Sequence, residues 1–258
     1  MKVQFLHSTL NGDGSASERQ HLTTMIVDDQ VAFDAGSLAL ACSDTQRANI
    51  RDIVVSHAHL DHIAGLPLFI DDLFSSLTEP VRIHAASDVI EMLETHIFNW
   101  SIYPRFSELN NEFGPVVEYR EIDTATEFRV KHLSVKAVEV CHKVPSSGFI
   151  ISDGNSTIAL TGDTAPTDAF WQEVNALPKL DAVLVECAFP TYLGELANIS
   201  HHMTPDSLKR ELHKLDRQSV AIYVVNIKPA FRETTISEIK DLRISGLNIL
   251  EIGNVYEW

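Results

Sequence analysis

Short apolar runs alternate along this chain with longer segments whose apolar residues recur every three or four positions, the pattern of strands interleaved with amphipathic helices. Residues 3–6, 23–27 and 31–33 read as strands, the third closing in the turn Asp34-Ala35-Gly36. Residues 53–56 form the next strand. Residues 66–77 carry helical spacing, 81–84 read as a strand, and Ser87 stands where it would cap a helix running to about Phe98. Residues 100–115, with Tyr103-Pro104 and Gly114-Pro115, read as an excursion loop.

A second strand-rich block follows at 116–122, 128–130, 134–140, 148–152 and 157–160, with Asp153-Gly154-Asn155 as a hairpin turn. Residues 182–185 and 220–225 are further strands, 205–215 and about 236–242 are helices, and 248–252 is the last strand. Two successive strand-then-helix halves predict an α/β fold with αββα layering. No repeat, low-complexity tract or linker interrupts the chain, which predicts one domain over residues 1–258.

The densest chemistry lies just past the run Ile53-Val54-Val55, in His57-Ala58-His59-Leu60-Asp61-His62. If the strand continues, His57 and His59 project to one side, because side chains alternate with period two. Asp61 and His62 fall where the chain must turn. The first pair can grip one metal ion and the second pair another; the bland alternative is a surface histidine cluster. A dinuclear site needs further ligands, which should sit at strand ends. His142 directly follows one strand. Asp163 follows another in Thr161-Gly162-Asp163-Thr164, where Gly162 permits a tight turn and close approach. A carboxylate bridging two cations holds them roughly 3.5 to 4 Å apart. Gly-Asp after a strand is also a common turn.

Composition narrows the function classes. With 258 residues, 45% of them hydrophobic, the chain can bury a substantial core. No stretch approaches the roughly 20 apolar residues of a membrane span, and the N-terminal residues lack the apolar core of a secretory signal. The three cysteines, Cys42, Cys141 and Cys187, are widely spaced with no C-x-x-C, which suits a reduced cytoplasmic protein. The formal net charge of −16 disfavours phosphate backbones and so long nucleic acids. A small substrate is the better expectation.

These motifs resemble the metallo-β-lactamase superfamily, whose H-x-H-x-D-H signature matches residues 57–62. The resemblance extends to the class II 3′,5′-cyclic-nucleotide phosphodiesterases. It is carried by His57-Ala58-His59-Leu60-Asp61-His62-Ile63-Ala64-Gly65-Leu66, by His142 leading to Ser146-Ser147-Gly148-Phe149, and by Thr161-Gly162-Asp163-Thr164. Glu186-Cys187-Ala188-Phe189-Pro190, His202-Met203-Thr204-Pro205 and Ile227-Lys228-Pro229 continue the series in order.

The resemblance implies an αββα four-layer sandwich and hydrolysis of cAMP or cGMP to nucleoside 5′-monophosphates by a hydroxide activated between two divalent ions. It implies that His57, His59 and His142 hold the first ion, and that Asp61 and His62 hold the second, with Asp163 bridging. His202 would donate a proton or bind the phosphate, oriented by Glu186; with Asp61 these form the catalytic set. Zinc suits the nitrogen and oxygen ligands, and manganese or iron fits the same shell. One position departs from the family: Asn226 stands where a histidine normally completes the second shell, so Asn226 is the remaining candidate ligand and the second site is expected to be weaker.

Other residues have blander readings. His7, His21, His84, His96, His132 and His213 lack partners at ligand spacing, and Cys141 and Cys187 read as core. His201 is a rival to His202. Trp100, Tyr103 and Phe106 could stack on a purine but more readily cover the apolar core. Two rival functions remain: a ribonuclease Z type tRNA 3′-processing endonuclease, and a non-catalytic nucleotide-binding relative. No membrane partner is expected, and a homodimer is compatible with these features.

Overall fold

The computed structural model describes residues 1–124, 126–217 and 220–258, which divide into two compact units. One comprises Lys2–Asp123 and Ile252–Glu257; the other comprises Met1, Thr124–Glu251 and Trp258.

In the first unit the strands are β1 (Lys2–Phe5), β2 (Met25–Val27), β3 (Val31–Phe33), β4 (Asp52–Val54), β5 (Val81–Ala85), a small ladder of β6 (Asn110–Asn111) and β7 (Gly114–Pro115), and β8 (Val117–Glu121). A seven-stranded sheet runs from Val255–Glu257 through β1-β2-β3-β4-β5 to β8. Its β1-to-β3 side is antiparallel, and β3-β4-β5-β8 are parallel. Parallel neighbours need crossovers, which the unit's helices supply. These are α1 (Leu38–Ala41), α2 (Asp44–Asn49), α3 (Leu60–Ile63), α4 (Leu66–Leu73) and α5 (Ser87–His96).

Leu66, Phe69, Ile70 and Leu73 recur at helical spacing and bury one stripe of α4 in a core with Ile53, Val55, Ile83, Val89 and Leu93. Ser43 and Gln46 form a reciprocal capping box that starts α2. Across the β4–β5 pair, the Asp52 carboxylate takes two hydrogen bonds from Arg82, at 2.8 and 2.7 Å, and lies 2.9 Å from His84 Nε2.

The second unit holds β9 (Glu127–Val130), β10 (Leu133–Glu139), β11 (Ser147–Ser152), β12 (Thr157–Leu160), β13 (Ala182–Glu186), β14 (Ala221–Val225) and β15 (Leu247–Ile249). They lie in sequence order in one sheet, antiparallel from β9 to β12 and parallel from β12 to β15. Its helices are α6 (Asp168–Ala176), α7 (Gly194–Ser200), α8 (Pro205–Leu212) and α9 (Arg232–Asp241). Phe170, Trp171 and Val174 of α6 pack in a core with Val183, Val185, Leu208, Ile222 and Val224.

Several boundaries differ from expectation for local reasons. Ser87 is the first residue of α5 and Ala86 is its N-cap, with no side-chain cap. The helix expected over 66–77 ends at Leu73, and that over 205–215 ends at Leu212. The segments 38–41, 44–49, 168–176 and 194–200 are helices that the apolar pattern did not announce; all but 168–176 are no longer than seven residues, too few to display a period. In the excursion loop, Phe106 is buried against Phe74, Phe98 and Tyr103, whereas Trp100 is 57% exposed. Among the described residues no helix is long and apolar enough to cross a membrane.

Candidate metal centre

β4 ends at Val54, so His57 and His59 lie in the loop beyond it, and the expectation of strand alternation there is corrected. The loop still brings the rings together, with centroids 4.7 Å apart for His57 and His59 and 4.2 Å for His57 and His62. His59 is the N-cap of α3, and Asp61 and His62 belong to that helix.

Behind these rings stands a residue that the sequence presented only as a turn. Asp34, in left-handed backbone at φ 59°, is buried at the end of β3. Its Oδ1 accepts the Ser56 N–H at 2.8 Å, and its Oδ2 accepts the Ser56 hydroxyl at 2.8 Å and lies 2.6 Å from His62 Nδ1. An ionised carboxylate only accepts, so His62 carries its proton on Nδ1. Ser56 spends its own proton on Asp34, and its Oγ, 2.9 Å from His57 Nδ1, must accept there. His57 is therefore also protonated on Nδ1. Both rings offer Nε2 as the ligating nitrogen, the carboxylate–histidine arrangement of metal sites.

The second unit assembles a matching cluster. His142 follows β10 and donates from Nδ1 to the carbonyl of His201 at 3.0 Å, which fixes its tautomer. Gly162, at φ 61°, turns the chain after β12 and delivers buried Asp163. One atom each of His142, Asp163 and His202 lie within 4.8 Å of one another. Neutral imidazole and carboxylate donors in such groups suit a divalent cation.

Glu186 ends β13 and is fully buried. Its Oε1 accepts from Thr164 N at 2.7 Å and lies 2.8 Å from His202 Nδ1; its Oε2 accepts from the backbone of Ala188 and Met203, both at 3.2 Å. Burial pushes the Glu186 carboxyl above its ordinary value, and the charge of His202 and the hydrogen bonds to the carboxylate offset only part of that. Burial alone would pull the His202 imidazole down, but the facing Glu186 outweighs it, so its pKa lies above the ordinary histidine value. Phe189 closes against the ring edge-on, with centroids 5.7 Å apart.

His201, the rival of His202, serves differently. It ends α7 in left-handed backbone at φ 56°, which aims its carbonyl at His142. Its Nδ1 lies 3.8 Å from the Cys141 sulfur. Asn226, also left-handed at φ 54°, donates its amide Nδ2 to Asp163 Oδ1 at 2.5 Å.

The sequence profile of the beta-lactamase superfamily domain matches residues 31–224. A probable 3′,5′-cyclic-nucleotide phosphodiesterase of Yersinia pestis is 27% identical over 232 residues, covering 81% of this chain and 64% of that protein. A nuclear ribonuclease Z of Triticum aestivum is 32% identical over 123 residues, covering 47% of this chain and 62% of that protein. The chain thus spans less than two thirds of the length of these relatives. The crystal structure of the metallo-β-lactamase fold protein YhfI of Bacillus subtilis superposes with a TM-score of 0.73 at 18% identity, covering 100% of this chain and 99% of that one. The fold is α/β of the metallo-β-lactamase type, as expected.

Proposed function

This chain belongs to the beta-lactamase superfamily, and on that premise we propose that it is a metal-dependent phosphodiesterase that opens 3′,5′-cyclic nucleotides, cAMP or cGMP, to nucleoside 5′-monophosphates. The observation that carries the reading is the Glu186–His202 pair, buried beside His142 and Asp163. An imidazole held by a carboxylate beside candidate metal donors is placed to give a proton to the leaving oxygen of a phosphodiester. The likeness to the Yersinia pestis protein supplies the substrate class.

His57, His59, Asp61, His62, His142 and Asp163 are the proposed ligands, with zinc the first choice of ion and manganese or iron alternatives. When bound, two such ions supply Lewis acidity and neutralise charge on the phosphate. The chain's own residues do the rest. Glu186 holds the Nδ1 proton of His202, so Nε2 is the atom left to take a second proton; the raised pKa favours that doubly protonated ring, whose Nε2–H would pass to the departing 3′-oxygen. Phe189 restrains the ring from rotating away. Ser56 and Asp34 keep His57 and His62 in the ligating tautomer.

Cleavage of tRNA 3′ ends is the second reading, supported by the likeness to the wheat ribonuclease Z. The net charge of −16 weighs against it. Protein stripped with chelator and reloaded separately with zinc and manganese should hydrolyse cAMP or cGMP and leave precursor tRNA intact. Cleavage of precursor tRNA alone transfers the assignment to the second reading, and nucleotide binding without turnover makes the chain a binding protein.

A further inference from the structure

Asn226 follows β14, whose Val225 pairs with Glu186 of β13. Its surroundings are fixed: Cys187 N donates to Val225 O at 3.2 Å, and Lys228 N to Ala188 O at 3.1 Å. Between these ties the backbone at 226 is left-handed, a conformation that asparagine tolerates better than other residues with a Cβ. The turn brings the buried side chain onto Asp163, with Nδ2 2.5 Å from Oδ1. Which end of the amide faces Asp163 follows from chemistry. A carboxylate ready to hold a metal is ionised and only accepts, so the amide must show it N–H. The amide oxygen, the one atom by which asparagine ligates a hard cation, is on the other branch.

We propose that Asn226 is a positioning residue that holds Asp163 from behind by a charge-assisted hydrogen bond, and that it gives no ligand to a metal ion. The inference rests on the reading of Asp163 as a metal ligand. Outer partners of this kind fix the carboxylate's orientation, and losing one costs about 10- to 100-fold in metal affinity. A ligand behaves differently, because its loss removes a binding site.

The test is a titration of the metal-free full chain with zinc against a chromophoric chelator, with bound metal counted by mass spectrometry and the cobalt-loaded visible spectrum recorded. Asn226→Gly removes the amide while accepting the left-handed backbone. It should bind as many ions as the parent protein, with affinity lowered about 10- to 100-fold and a shifted cobalt spectrum. Asn226→Ala supplies the same comparison if the glycine variant does not fold. Affinity and spectrum unchanged in the variant would overturn the proposal, as would one ion fewer per chain at saturation. A parent protein that binds no metal would overturn it together with its premise. No substrate enters this measurement, so absence of cyclic-nucleotide turnover bears on the proposed function alone.

Discussion

Glu186 Oε1 faces His202 Nδ1 at 2.8 Å, and backbone N–H groups of Thr164, Ala188 and Met203 fill the rest of the carboxylate's shell. Glu186 is thus held from the main chain and spends one oxygen on orienting a ring. Glu186→Gln should lower kcat about 10²-fold or more while bound metal per chain stays constant. A kcat within twofold of the parent protein would remove Glu186 from the mechanism.

Asp34 meets His62 directly and reaches His57 through Ser56. Asp34→Ala frees both rings to take the other tautomer or rotate. Metal affinity should fall about 10- to 100-fold in a chelator competition, and Ser56→Ala should reproduce part of the loss through His57. Parent-like affinity in both variants would show that the tautomers are not fixed from behind.

Gly36 stands against the turn that carries Asp61. A Cβ there would lie 2.0 Å from the carbonyl oxygen of Asp61 and 2.7 Å from the Thr23 nitrogen that donates to it. Gly36→Ala must push α3 aside, at a cost of at least about 2 kcal/mol in denaturant unfolding and with weakened metal binding. An unperturbed variant would contradict this packing.

Stability should also depend on pH through Asp52. Burial raises its pKa, but the bonds from Arg82 and His84 outweigh that and hold it well below the usual carboxylate range. A group depressed in the folded state contributes stability above its unfolded pKa of about 4 and loses it as pH falls through the lower folded value. Arg82→Leu should therefore cost about 3 kcal/mol at pH 7. The gap between variant and parent should narrow in acid below about pH 4; a gap independent of pH would refute the pairing.

The motifs were legible because their chemistry is local: His57 through His62 fall within one loop and one short helix. The strands were legible as apolar runs, since both sheets have buried interiors. Asp34 was not, because its partners are 22 and 28 residues away and an Asp before Ala-Gly reads as a turn. The amide contact of Asn226 was hidden likewise, 63 residues from Asp163 and dependent on a left-handed backbone. Helix α6 escaped notice because, over nine residues, its Phe170, Trp171 and Val174 made too brief a stripe to stand out.

Hydrolysis of cAMP and cGMP in ¹⁸O-labelled water, by zinc- or manganese-loaded protein, tests the central proposal most directly. The expected product is a nucleoside 5′-monophosphate with one ¹⁸O on phosphorus, formed by the parent protein and lost with His202→Ala. A 3′-monophosphate, or no turnover of either nucleotide with either ion, would contradict it.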